Sequence, residues 1–262
     1  MRWRTFVFGY SLALALLLFA QRHGEVTPPS GLHAVIDLTH AISKDAPSYE
    51  PSEKAAYRVT VTHTVAKDQY FARNICLPEH FGTHIDAPAH FAQGSWTVDQ
   101  IPAERLVAPL AVIDVRDKVR LDPDYRISVD DIAGWEQKNG LIPMGALVVA
   151  NTGWDSRWNS EKSYRDADDK GVMHFPGYSL EAAKFLVEAR NAVGLGIDTL
   201  SIDYGPSKNF EVHHYTLAHG LYHLENLANL DRTPQAGTIA VVGAAKLQGG
   251  SGGPVRVLAL VK

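Results

Sequence analysis

Between Leu77 and Phe91 the chain reads LPEHFGTHIDAPAHF, with His80, His84, Asp86 and His90 all on even-numbered positions. That spacing constrains the backbone before anything else is known. On a helix, Asp86 would lie about 200° around the axis from His84, and Gly82 and Pro88 both oppose helix formation. In an extended segment, residues two apart point the same way, so all four polar side chains face one side. His84 and Asp86 are then close enough to clasp one ion. His80 joins them only if the chain bends, and Gly82 is the natural place for the bend. Pro88 has no amide hydrogen for a sheet ladder, so the strand is expected to end, or to lie at an edge, near it. Three imidazoles and a carboxylate on one face are costly to bury alone, whereas a divalent cation satisfies them all.

The chain has 262 residues, 45% of them hydrophobic, enough for a large core. A formal net charge of −4, with no interleaving of aromatic and basic residues, argues against a nucleic-acid partner. The N-terminus differs from the rest. Arg2 and Arg4 precede the apolar run TFVFGYSLALALLLFA, Thr5 to Ala20, which has the length of a secretory segment and is short for a membrane span. Residues 1–20 are therefore expected to be a signal peptide cleaved near Ala20, with a retained membrane anchor at 5–20 as the alternative. The protein is then exported, to the periplasm or beyond. Residues 21–31 read as a linker and 32–262 as one folded domain. Cys76 is the sole cysteine, expected to be buried as a small hydrophobe beside the histidine-bearing strand.

Patterning predicts strands near 34–39, 57–65 and 109–115, and a buried strand over 146–154 whose end opens at a Thr-Gly turn. The charged segment from Asp155 to Gly177 reads as a surface excursion. Ser179 starts a helix running to about Arg190, followed over 192–203 by a strand running into a loop, and by a helix over about 213–219. Two further strands at the C-terminus flank a Gly-Ser-Gly cluster. Its glycines 249, 250, 252 and 253 lie between strands and not before a helix, so they make no phosphate-binding loop. Strands and helices mix without regular alternation, which points to an irregular α/β fold in a single domain.

A second window, EVHHYTLAHGLYHLENL, carries four more histidines and Glu225, so seven of the chain's twelve histidines lie in two short stretches. His219 and His223 are four apart and could chelate on a helix. Alternatively, His213 and Glu225 converge if the helix breaks, which Gly220 permits. Spacing alone leaves both open.

The first window matches H-x-G-T-H-x-D-x-P-x-H, and the flanking TGW, HFPG, GIDTLSID and LENLANL also fit. The chain thus resembles, from about Val35 to its C-terminus, the metal-dependent cyclase family that includes bacterial kynurenine formamidase and isatin hydrolase. The resemblance implies a mixed-sheet swivelling β/β/α fold, usually oligomeric, so a homo-oligomer (dimer or tetramer) is expected. It also implies metal ligands at His80, His84, Asp86, His213 and Glu225, and a catalytic acid/base at His90.

Such a ligand set suits Zn2+ or Mn2+, as one ion or as two bridged by Asp86. A divalent ion with an open position brings the pKa of bound water from 15.7 towards about 7. His90 would take the water's proton and return it to the leaving nitrogen. The expected activity is hydrolysis of a C–N amide bond in a small molecule, either an open aryl formamide or a cyclic aryl amide. A lactone or other cyclic-ester hydrolase and a non-catalytic metal-binding module are the alternatives. Phe91, Trp96 and Trp154 are candidate walls for an aromatic substrate. Ser201 and Asp203 are candidates to orient substrate or to support a ligand histidine.

Overall fold

The computed structural model describes residues 28–262, so the apolar segment and most of the linker lie outside the described residues. The strands are β1 (Ala34–Asp37), β2 (Arg58–His63), β3 (Ala72–Cys76), β4 (His84–Asp86), β5 (Val107–Asp114), β6 (Arg126–Ile127), β7 (Leu147–Asn151), β8 (Gly177–Tyr178), β9 (Gly194–Ile197), β10 (Tyr222–Glu225), β11 (Thr238–Ala244) and β12 (Gly252–Val261). The helices are α1 (Pro51–Ala56), α2 (Val65–Asp68), α3 (Arg116–Val119), α4 (Val129–Asn139), α5 (Glu161–Arg165), α6 (Leu180–Glu188) and α7 (Glu211–Ala218).

Eight strands form one mixed sheet in the order β1-β12-β11-β5-β7-β9-β10-β4. Strands β5, β7, β9 and β10 run parallel, and the other neighbours pair antiparallel. The short β4 pairs with both β10 and β12, so the sheet closes on itself. Alternation then separates two cores. Leu110, Val112, Leu147, Val149, Leu224 and Val257 fill the inside, while Ile113, Val148, Ala150 and Leu195 meet α4 and α6 on the outside through Ile132, Trp135 and Leu186. Strand β7 is buried on both faces, as its continuous apolar run predicts.

The α/β mixed-sheet, single-domain reading is borne out. Ser179 caps α6 by accepting the amide of Ala182 at 3.1 Å. The predicted helix over 213–219 begins two residues earlier, and Gly220 (φ +78°) turns the chain from α7 into β10. Helix α4, absent from the sequence-based expectations, starts at a capping box between Ser128 and Asp131.

The strand predicted to run into a loop within 192–203 does so: it ends at Ile197, and its polar second half turns inward. Three expectations are corrected. The segment 155–177 is no surface excursion: α5 and the following turn bury Tyr164 and Phe175 completely. Cys76 is exposed, because β3 pairs only with β2 in a two-stranded hairpin outside the main sheet. Trp154 is a core residue, 1% exposed. Gly153 (φ +76°) turns the chain so that the indole lies in the outer core and its N–H donates to the carbonyl of Tyr164 at 2.7 Å. Truncating it, Trp154→Ala, is expected to reduce stability by about 3–5 kcal/mol, read from the midpoint of urea unfolding.

Candidate metal centre and cleft

The centre is assembled by strand register. On β4, His84 lies directly across from Glu225 of β10, and Asp86 across from His223. Ile85 and Leu224, between them, point to the other face and enter the inner core. The H-x-D of one strand and the H-x-E of the other thus lay four polar side chains side by side. His80 approaches from the preceding turn because Gly82 adopts φ +71°, the left-handed region that glycine enters without penalty. Past Asp86 the strand ends, and Pro88–His90 forms a single 3-10 turn that brings His90 over the site. Helix α7 delivers His213 from the far side.

The resulting contacts are close. Asp86 Oδ1 lies 2.6 Å from His80 Nδ1 and 3.2 Å from His84 Nε2. Its Oδ2 lies 3.5 Å from His213 Nε2 and 3.6 Å from His223 Nδ1. Glu225 lies 3.5 Å from His84 Nε2 and 3.3 Å from His213 Nε2. Two overlapping groups of ligand atoms result: His80, His84 and Asp86, then Asp86, His213, His223 and Glu225. Asp86 belongs to both.

Outer hydrogen bonds orient these rings. The Nδ1 of His84 donates to the carbonyl of Gly82 at 2.9 Å, and that of His213 to Asp203 Oδ2 at 2.7 Å. Thr216 gives its hydroxyl hydrogen to the carbonyl of Val212, so it accepts from His223 Nε2 at 2.6 Å. In its neutral form each ring therefore turns an unprotonated nitrogen toward carboxylate oxygens, lone pair facing lone pair. Asp86 Oδ2 and His223 Nδ1 are fully buried and lack a hydrogen-bond partner among the described residues. That arrangement fits a divalent cation.

Electrostatics agree. Burial opposes charge on His84, yet Asp86 and Glu225 outweigh it and raise the imidazole to about 9. His213 is likewise lifted well above its ordinary value, with Asp203, Asp86 and Glu225 overcoming its burial. Asp86 is held well below the usual carboxylate range despite burial, by the charge of His84 and the close approach of the His213, His223 and His80 rings. The carboxylates demand positive charge, supplied by protons or by a metal. His90 behaves oppositely. Burial, helped by neighbouring His80, His213 and His84 and opposed by Asp86, holds it down at about 4, so it is neutral at pH 7. Its ring stacks on that of His80 at 3.9 Å.

A cleft of about 190 Å³ opens over the centre, walled by Tyr49, Phe91, Leu200 and Phe210, with Ser201, Glu53 and His90 at its polar edge. Phe91 lies 4.7 Å from the His213 ring and 5.7 Å from Phe210. Arg165 fixes the Ser48–Tyr49 wall by donating to both carbonyls. Of the residues singled out in the sequence, His80, His84, Asp86, His90, Phe91, Ser201, His213 and Glu225 meet here. Trp96 and Trp154 do not line the cleft. Trp96 is 39% exposed and sits under the Arg105 guanidinium, because the turn after His90 carries it outward. Tyr49 and Phe210 were missed. His223, read in the sequence only as a helical chelator paired with His219, joins the site from strand β10, where H-L-E repeats the two-residue spacing of H-I-D.

The model of the Cyclase family matches residues 36–204. The chain belongs to the cyclase family. It is 34% identical to the isatin hydrolase of Roseibium aggregatum over 249 residues, 88% of this chain and 93% of that protein. It is 29% identical to the kynurenine formamidase of Polaromonas naphthalenivorans over 184 residues, 70% of this chain and 72% of that one. The solved structure of isatin hydrolase A from Ralstonia solanacearum superimposes with a TM-score of 0.82 at 31% identity, covering 98% of this chain and all of that one. The resemblance read from the histidine signature is borne out.

Because Asp203 holds His213 by its Nδ1–H, Asp203→Ala is expected to weaken divalent-metal affinity by about 10–100-fold. Chelator competition checks this, with circular dichroism showing that the fold persists.

Proposed function

We propose that this protein is a metal-dependent amide hydrolase that opens the lactam of a cyclic aryl amide of the isatin type. The observation carrying the reading is the shared position of Asp86 between two groups of ligand atoms, directly beneath an aromatic-walled cleft. The 34% identity to an isatin hydrolase across most of both chains supports the substrate class. The second substrate to compare is an open aryl formamide, in view of the kynurenine formamidase relatives.

In this proposal His80, His84, Asp86, His213 and Glu225 hold the cation or cations, with His223 as a sixth donor and Zn2+ or Mn2+ as the ion. When bound, a divalent ion polarises a carbonyl and makes water acidic enough to ionise near neutral pH. Phe91, Phe210 and Tyr49 form the apolar wall against which the planar ring of the substrate lies, and they exclude bulk water. Ser201 is placed at the polar edge to orient the carbonyl end. His90, neutral at pH 7, takes a proton from the attacking water on a ring nitrogen as oxygen bonds to the carbonyl carbon. As the C–N bond breaks, that proton passes to the departing nitrogen, leaving an amine and a carboxylic acid, which ionises to the carboxylate by releasing the water's other proton to solvent.

Export of the protein is supported by the basic-then-apolar N-terminal segment. No helix among the described residues is long and apolar enough to cross a membrane. A homo-oligomer is supported by the β2–β3 hairpin, which leaves Val59, Val61, Tyr70, Phe71 and Ile75 exposed.

His90→Ala is expected to retain the metal of the wild type and to lose about 10²–10⁴-fold in kcat, measured on isatin and N-formylkynurenine side by side. Metal-loaded wild type that turns over neither compound would overturn the substrate assignment.

A further inference from the structure

The glycine-rich turn between β11 and β12 lies against the metal centre. Ser251 accepts the amide of Ala87 on its carbonyl at 2.8 Å, and the carbonyl of Gly250 accepts that of Val98 at 2.9 Å. These bonds press the turn onto the chain that leaves β4. At Gly252 a Cβ would stand 2.4 Å from the carbonyl oxygen of Ile85 and 2.6 Å from His80 Cε1. At Gly250 a Cβ would stand 3.0 Å from Glu79 Oε1. The glycines thus let the backbone approach until the side chain between them reaches the site.

That side chain is Ser251. Its Oγ lies 2.9 Å from His80 Nε2 and 2.7 Å from Glu79 Oε2, and its amide also donates to Glu79 Oε2, at 2.9 Å. A hydroxyl has one hydrogen to give. A carboxylate only accepts, so the hydroxyl hydrogen goes to Glu79, and the oxygen accepts from His80. The Nε2 of His80 must then carry a proton. In a neutral imidazole the other nitrogen carries none, and Nδ1 faces Asp86 Oδ1 at 2.6 Å. Two acceptors that close repel unless they share a proton or both bind one metal ion.

We infer that Glu79, acting through Ser251, fixes His80 in the Nε2–H tautomer and so makes Nδ1 the nitrogen offered to the metal. Glu79 and Ser251 are positioning residues: neither lies in either group of ligand atoms. The relay supplies His80 with the kind of outer acceptor that Gly82, Asp203 and Thr216 supply to the other three imidazoles. It ties residue 80 to residue 251, 171 positions further along the chain. This inference rests on the metal-binding part of the reading above and not on the substrate.

The test uses the full-length protein with Glu79→Gln and Ser251→Ala. Glu79→Gln presents an N–H to the serine oxygen and frees the hydroxyl hydrogen to turn toward His80, which favours the opposite tautomer. Zinc affinity by chelator competition is expected to fall about 10–100-fold in each variant, and the double variant is expected to be no weaker than the worse single one. Long-range ¹H–¹⁵N correlation spectra of the histidine rings are expected to report His80 as Nε2–H in the wild type and altered in Glu79→Gln. An unchanged tautomer together with wild-type affinity in both variants would overturn the relay while leaving the metal site standing. A wild type that binds no zinc or manganese would instead overturn the metal site, and the relay with it.

Discussion

One carboxylate organises this molecule. Asp86 is 1% exposed and lies within 3.6 Å of four imidazole nitrogens, so its charge requires compensation that only those rings or a bound cation can give. It can occupy that position because β4 is held on both sides, by β10 and by β12, with Asp86 opposite His223 on one and Gly252 on the other. A slip of one residue in either pairing would turn Asp86 into the apolar interior and bring Ile85 to the site. Register is therefore set by hydrophobic burial, and the metal chemistry follows from it.

The local half of the site could be read directly from the sequence. Alternating His84 and Asp86, the bend at Gly82 and the chain-ending Pro88 are consequences of side-chain period and backbone sterics, and they hold within a few residues. His213 and Glu225 needed the family resemblance, because two readings of the second window were equally consistent with spacing. The reading centred on helical spacing fails because Gly220 ends α7 before His223, which then sits on β10. His223 was paired with His219 for that reason: its true partner spacing is a strand's, inside a stretch whose first half is helical.

Aromatic residues were harder to place. Trp96 and Trp154 follow the metal strand or a strand end, as wall residues would, yet the turns at Gly94 and Gly153 decide their direction, and turn geometry is set by tertiary contacts. Tyr49 and Phe210 carry no signal in sequence because they belong to loops. Phe210 even occupies the left-handed region at φ +47°, which a bulky residue enters only when its surroundings enforce it. The fold class was clearer than its topology: the mixed strand and helix order suggests α/β, but nothing local reveals that a three-residue strand closes the sheet.

That closure has a temporal consequence. Strand β4 is made early in synthesis, yet its two neighbours are the tenth and twelfth strands, the latter at the very C-terminus. A growing chain carries His80, His84 and Asp86 long before it has anything to hold them against, so these residues stay an incomplete chelate until the last strand docks. Firm capture of the ion thus waits for β12, and a chain truncated before Gly252 would present ligands without a socket.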